Sequence, residues 1–228
     1  MAVPGSYEHT SDVSASASLD EGELAERPNV ESLMNQLSLH HHTPLSTSTK
    51  CVRLLEVLSG PGYEPIKCRL SQHSLDDDPS YIALSYTWEQ GRKRHIECDG
   101  MRLEIGDNLW HFFSEFRRRR VLQEHDDKEW QNDIGRLWID AVCIDQSNLE
   151  ERNQQVAQMR DIYTNAKSVI VWLGLAQSHE ELAFLLTKYP DLLEHDKLQT
   201  ALLRLLSKPY FTRVWVSRFV YIAWASCY

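Results

Sequence analysis

The chain has no run approaching the roughly 18 consecutive apolar residues of a membrane span. Nor does its N-terminus place a basic segment before an apolar core, so no secretory signal is expected. The nearest approach to a span, VWVSRFVYIAWASCY at residues 214–228, is short and interrupted by Arg218. Cysteine is scarce. Its 5 residues are odd in number, widely spaced and without a C-x-x-C pair, which excludes a secreted disulfide framework and points to a reduced, intracellular, cytoplasmic protein. Glycine is equally sparse at 9 residues, and none forms the Gly-rich loop that cradles a phosphate. Positive charge is in deficit: 24 Lys and Arg against 33 Asp and Glu leave a net −9, which opposes general nucleic-acid binding. Two basic clusters remain, Arg92-Lys93-Arg94 and Arg117 to Arg120. The second closes a helix striped by Leu109, Phe112, Phe113 and Phe116, where cations favour the macrodipole. A local run of histidines, His40-His41-His42, is expected to bind no metal, because protein zinc sites draw spaced ligands from ordered elements.

What the chain does contain is one α/β pattern after a polar leader. Residues 1–50 are rich in Ser, Thr, Glu and His with little apolar periodicity, and are read as disordered. A short helix from Glu31 to Leu39 could form on a partner. Val52 to Leu58 and Ile66 to Leu70 read as strands around a Gly60-Pro61-Gly62 turn, and Ile82 to Tyr86 as a buried strand. Arg94 to Ile105 reads as a hairpin about Asp99-Gly100, a pair suited to positive φ. A Phe-rich helix starts near Asp107. Leu137 to Ile144, LWIDAVCI, is apolar enough for a central parallel strand. Ser147 and Glu150 form an S-x-x-E capping box opening a helix with a Val156, Met159, Tyr163, Ala166 stripe. Ser168 to Leu173 resumes a strand. Further helices are expected from Ser178 to Pro190 and through Leu198, Leu202 and Leu205. The alternation predicts a mainly parallel sheet with helices on both faces and a β-hairpin insertion. Ligands of such sheets sit beyond the carboxyl ends of the strands, so Asp145, Gln146, Glu151 and Arg152 face any crevice there.

The same stretch resembles the fungal heterokaryon incompatibility (HET) domain. Leu137, Trp138, Ile139, Asp140, Cys143, Ile144, Asp145 and Gln146 match its LWID-x-x-CI-[ND]-Q. Glu151, Arg152, Gln155, Val156, Met159, Ile162, Tyr163 and Ala166 match the helix motif that follows, and Trp172-Leu173-Gly174 its WLG. Tyr81 to Trp88, YIALSYTW, resembles Y-x-ALSYxWG, with Glu89 in place of glycine. Pro209 to Val216 resembles x-WFxRxWxxQE, with Tyr210 in place of tryptophan. There the family continues to Gln-Glu and this chain reads Ser217-Arg218-Phe219, so Phe219 stands where the glutamate is expected. The resemblance spans residues 51–216 and leaves a divergent tail, 217–228, as in a truncated or altered paralogue. It implies a TIR-like or flavodoxin-like fold and a role in non-self recognition, innate immunity and programmed cell death in filamentous fungi.

Each candidate residue has two readings. Asp140 either faces the crevice or neutralises an arginine such as Arg213. Asp145 either acts in the crevice or satisfies backbone donors at a helix start. Glu151 and Arg152 are either functional or ordinary first-turn charges on an exposed helix, and in the latter case Glu151→Gln leaves the fold intact. Ser85, Tyr86 and Trp88 could contact a ligand at the end of their strand, with Trp215 as a pocket wall. Cys143 is read as a buried thiol without a nucleophilic role. Two functions of different class follow. One is an incompatibility module acting through protein partners and self-association, with no cofactor. The other, implied by TIR relatives that cleave NAD, is a hydrolase of NAD with Glu151 or Asp145 as its acid.

Overall fold

The structure, a computed structural model, describes residues 29–46, 50–88, 91–123, 135–175, 200, 203–204 and 206–212. Among these, one seven-stranded sheet organises the chain. Its strands are β1 (Cys51–Val57), β2 (Lys67–Ser74), β3 (Ile82–Tyr86), β4 (Lys93–Cys98), β5 (Met101–Gly106), β6 (Leu137–Trp138) and β7 (Ser168–Trp172). They lie in the order β5-β4-β2-β1-β6-β3-β7. The α/β class holds, but the sheet is mixed. β6, β3 and β7 run parallel, as do β2 and β4, while β1 is antiparallel to both of its neighbours and β4 to β5.

β3 forms over the residues its apolar run marks out, and Tyr81, Ala83 and Leu84 are fully buried. The hairpin of β4 and β5 turns at Asp99 and Gly100, with φ of 52° and 75°. That is the left-handed pair a tight turn requires. The next helix, α2 (Asp107–Gln123), lays Leu109, Phe112 and Phe113 into the core. Arg117 at its far end is buried as well, and its guanidinium donates to the carbonyls of Gly62, Glu64 and Pro65. It fixes the β1–β2 turn, while Arg118 and Arg119 stay exposed and pair with Glu115.

The central apolar run behaves differently from its reading as one strand. Only Leu137 and Trp138 pair in the sheet, and Asp140–Cys143 forms a single helical turn, α3. The Cys143 N–H donates to the Ile139 carbonyl at 2.7 Å, and the Asp140 carboxylate accepts from the Ala141 N–H at 2.8 Å. Every residue from Leu137 to Ile139 and from Val142 to Ile144 is buried in either form, so apolarity alone does not separate the two.

Helix α4 (Leu149–Asn165) starts one residue later than the S-x-x-E signal places it. Asn148 is the cap, accepting from the Glu150 and Glu151 N–H groups at 3.1 Å each, whereas Ser147 bonds the Asp145 carboxylate. Glu151, Gln155 and Ile162 are buried, the expected Met159, Tyr163 and Ala166 pack against the core part-buried, and Val156 is left 45% exposed. Opposite faces of the sheet take different helices. Ala83 is the register partner of Trp138, and Tyr86 of Trp172. Residues three apart on a strand point to opposite faces. Trp172 meets Phe112 of α2 and Trp138 meets Tyr163 of α4, with centroids 5.7 and 5.5 Å apart, so helices do cover both faces.

Residues 29–46 fall within the expected disordered leader, yet they are seated on the domain. Asn29 caps a short helix, α1 (Val30–Asn35), which buries Met34. Ser38 to His40 then exchange backbone hydrogen bonds with Arg102 of β5. Leu45 is buried at 8% exposure. The contacts are made through backbone and isolated side chains, which leave no periodic signature in a polar sequence. Residues 1–28, the helix from Ser178 to Pro190 and the tail 217–228 lie outside the described residues. Of the expected helix through Leu198, Leu202 and Leu205, residues 200, 203–204 and 206 are described and are helical.

Candidate functional site

The parallel strands β3 and β7 end together at Tyr86 and Trp172, β6 stops earlier, level with Ala83, and the segments that leave them are tied across one edge. From β3, the exposed Trp88 donates its indole N–H to Asp140 Oδ1 at 3.1 Å. The Asp140 carbonyl in turn accepts from Gln146 Nε2 at 2.8 Å. Trp172, ending β7, donates to Asn108 Oδ1 at 2.9 Å, and the Asn108 amide donates to the Thr87 carbonyl at 3.0 Å. On the face opposite Tyr86, Ser85 Oγ accepts the Tyr210 hydroxyl at 3.0 Å. The structure thus links three of the expected site residues, Trp88, Asp140 and Gln146, while Ser85 pairs with Tyr210. Tyr86 is buried at 5% exposure. Asp140 is half-buried in the first turn of α3 and not a charge inside a strand. Asn108 and Tyr210 complete the edge. Asn108 directly follows Asp107 at the helix start, where Asn commonly bonds backbone, and that position was its available signal.

Glu151 and Asp145 are placed elsewhere. Arg53, in the middle of β1, grips the Glu151 carboxylate with both ends of its guanidinium, at 2.5 and 2.9 Å. Its Nη1 also donates to the Cys143 carbonyl at 3.0 Å and its Nη2 to the Thr43 carbonyl at 2.5 Å. Glu151 Oε1 further accepts the Asp145 N–H at 2.7 Å. The side chains of Arg53 and Glu151 are 3% and 6% exposed, so the exposed first-turn position expected for Glu151 is corrected. Burial pushes the Glu151 carboxyl up, but the guanidinium and the Asp145 N–H hold it below the usual carboxylate range. Both of its oxygens are occupied. Asp145 is held low mainly by the Ser147 hydroxyl and N–H, in keeping with its reading as a backbone satisfier. Arg152 is exposed on α4. Arg213 and Trp215 lie outside the described residues.

Arg53 was the buried charge least visible in sequence. The one signal was an arginine inside CVRLLEV, an otherwise apolar strand with a single exposed position, Glu56. A buried charge demands a partner. The partner stands 98 positions away. Nearby, His42 donates its Nε2–H to the Val142 carbonyl at 2.7 Å, and burial holds its basicity below the ordinary imidazole value. Leader, β1, α3 and α4 therefore converge on one buried ion pair.

The comparisons fit this geometry. A family model described as Heterokaryon incompatibility protein (HET) matches residues 81–218, well over half of the chain. The chain belongs to the heterokaryon incompatibility family. The matched span of this HET chain begins at Tyr81 and takes in the whole strand edge, together with Glu151. Arg53 precedes it, and yet β1 and β2 lie in the middle of the same sheet. A curated relative, "Heterokaryon incompatibility protein 6, OR allele" of Neurospora crassa, is 32% identical over 145 residues, covering 58% of this chain and 20% of the relative. The HET chain thus spans about a fifth of the length of the curated relative that it matches. No solved structure matches it. No described helix is long and apolar enough to cross a membrane.

Proposed function

We propose that this HET chain takes part in heterokaryon incompatibility, the non-self recognition that leads to growth arrest or cell death in a filamentous fungus, and that it acts by assembling with protein partners. The observation that carries this is the family match across residues 81–218, joined by a relative named for the same process. The strand edge supports a binding role. Trp88, 48% exposed, is oriented by its hydrogen bond to Asp140, and oriented aromatic side chains of this kind anchor interfaces. A hydrolytic reading would require a carboxylate free to face a developing cation. Of the two expected acids, Glu151 has both oxygens held by Arg53 and the Asp145 N–H, and the Asp145 carboxylate accepts the Ser147 hydroxyl and N–H.

The test is induced expression in a fungal host, with growth, intracellular NAD and co-purifying proteins followed together. Growth arrest with steady NAD and a captured partner or second copy is expected, and Trp88→Ala is expected to relieve the arrest while the protein still accumulates folded. A folded, abundant protein that neither arrests growth nor captures a partner overturns the proposal. A fall in NAD that Asp140→Asn abolishes would replace it with hydrolysis.

A further inference from the structure

Four groups with metal-binding chemistry meet where the leader crosses the sheet, on residues the incompatibility reading does not use. Cys68 of β2 and Cys98 of β4 are register partners on parallel strands. Paired residues of a sheet present their side chains to the same face. Asp99 follows in the hairpin turn, where its N–H donates to the Cys68 carbonyl at 3.0 Å and its Oδ2 accepts from the Leu70 N–H at 3.2 Å. This folds the carboxylate back over β2. His40 arrives from the leader, fixed by its own N–H to the Arg102 carbonyl at 2.9 Å.

One ring nitrogen of His40, Sγ of Cys98 and a carboxylate oxygen of Asp99 all lie within 4.8 Å of one another. His40 Nε2 stands 4.0 Å from Asp99 Oδ2, and the imidazole is only 4% exposed. Its Nδ1 is buried and has no hydrogen-bond partner. The ring also meets the Cys98 thiol, and a buried ring nitrogen without a partner is a destabilising feature that a bound ligand would remove. Cys68 holds its thiol against the Glu97 carbonyl at 3.3 Å and also meets the Cys98 thiol. A pocket of about 60 Å³, lined in part by His40, His42, Arg53 and Asp99, opens beside the cluster and supplies a route in.

We propose that His40, Cys98 and Asp99, with Cys68 as fourth ligand, form a binding site for a zinc-type divalent ion that clamps the leader to the sheet. The donor set decides the class of ion. Thiolate and imidazole select zinc and its soft relatives, whereas magnesium and calcium require shells of oxygen. Tetrahedral ligands at zinc distances stand roughly 3.3–3.8 Å apart, so the His40, Cys98 and Asp99 atoms, all within 4.8 Å of one another, close by about 1.5 Å or less. On binding, the two thiols give up their protons to solvent, and each sulfur lone pair bonds the ion. The absence of a metal site was expected from three adjacent histidines in a flexible segment. The proposed ligands come instead from three segments that only the fold brings together, and His40 is the sole histidine among them.

The experiment uses the full chain, purified under reducing conditions and freed of metal, with cobalt(II) and zinc(II) chloride as probes. A thiolate-to-cobalt charge-transfer band that saturates at one ion per chain and is discharged by zinc is expected. His40→Ala and Cys98→Ser should each weaken binding at least ~10-fold, with Cys51→Ser as an unaffected control. His40→Ala keeps the test sound if Cys98→Ser fails to fold, because its position is in the leader. Zinc should also protect the leader from proteolysis in the unmodified chain and not in His40→Ala. A folded, reduced chain that shows no cobalt band overturns the proposal. So does binding that survives both substitutions.

Discussion

The ion pair of Arg53 and Glu151 allows a quantitative test of what holds the HET domain together. Replacing Arg53 by Met leaves the Glu151 carboxylate at 6% exposure with only the Asp145 N–H as a donor, and removes the donors to Thr43 and Cys143. Breaking a buried pair from one side costs about 3–5 kcal/mol, a large share of the roughly 5–15 kcal/mol that stabilises a typical domain. Glu151→Gln preserves shape and an acceptor but leaves a buried guanidinium without its counter-charge, and about 3 kcal/mol is expected on the same ground. The double variant Arg53→Met/Glu151→Gln removes both charges together. Its loss should fall short of the summed single losses by about 2–3 kcal/mol, the upper range for contacting residues. Urea unfolding of the full chain at pH 7, followed by tryptophan fluorescence, measures all four corners of the cycle. Single losses below about 1 kcal/mol, or strict additivity, would refute the structural role. The same magnitudes bear on function. A Glu151 substitution that abolishes activity says nothing of catalysis until the fold of the variant has been shown.

Alkaline pH should destabilise the protein before its acidic surface does. Burial pushes the Cys143 thiol up to about 12 and the Tyr81 phenol to about 12; the unfolded chain ionises first, so each thiol-governed pH unit above about 9 removes about 1.4 kcal/mol, and a melting temperature constant from pH 8 to 11 would contradict this. On the acid side, the depressed Glu151 and Asp145 carboxyls stabilise the fold above their unfolded values near 4, and that stabilisation should be lost as pH falls further; circular dichroism from pH 6 to 2 checks the direction. Gly100→Ala meets no atom within 4 Å but sits at φ +75°, so strain alone should cost about 1 kcal/mol in a thermal melt. Trp88→Ala, which removes one exposed hydrogen bond, should change stability by less than about 1 kcal/mol, and a larger loss would mean that the residue is structural and not an interface anchor.

Where the chain was legible, local chemistry alone set the outcome. Asp99-Gly100 specifies a tight turn whatever surrounds it, and β3 is buried on both faces, so a continuous apolar run could describe it. Legibility fails where two structures make the same local demand. LWIDAVCI asks only to be buried, and a strand that yields to a helical turn at Asp140 satisfies that demand as well as an unbroken strand does. Glu151 illustrates the second kind of failure. The Ser147–Glu150 signal marks a helix start to within one residue, but spacing carries no information about an arginine 98 positions before Glu151. The leader shows the third. Its attachment runs through backbone groups and single side chains, so composition registers only its polarity. Both the ion pair and the proposed metal cluster join segments that local pattern leaves separate. At the strand edge, Trp88, Asp140 and Gln146 were named as site residues from sequence because they flank recognisable strands, whereas Asn108 and Tyr210 were not. Residues at strand ends are therefore readable from pattern, while residues that lock segments together are visible only as an out-of-place charge or thiol, as Arg53 and Cys98 are.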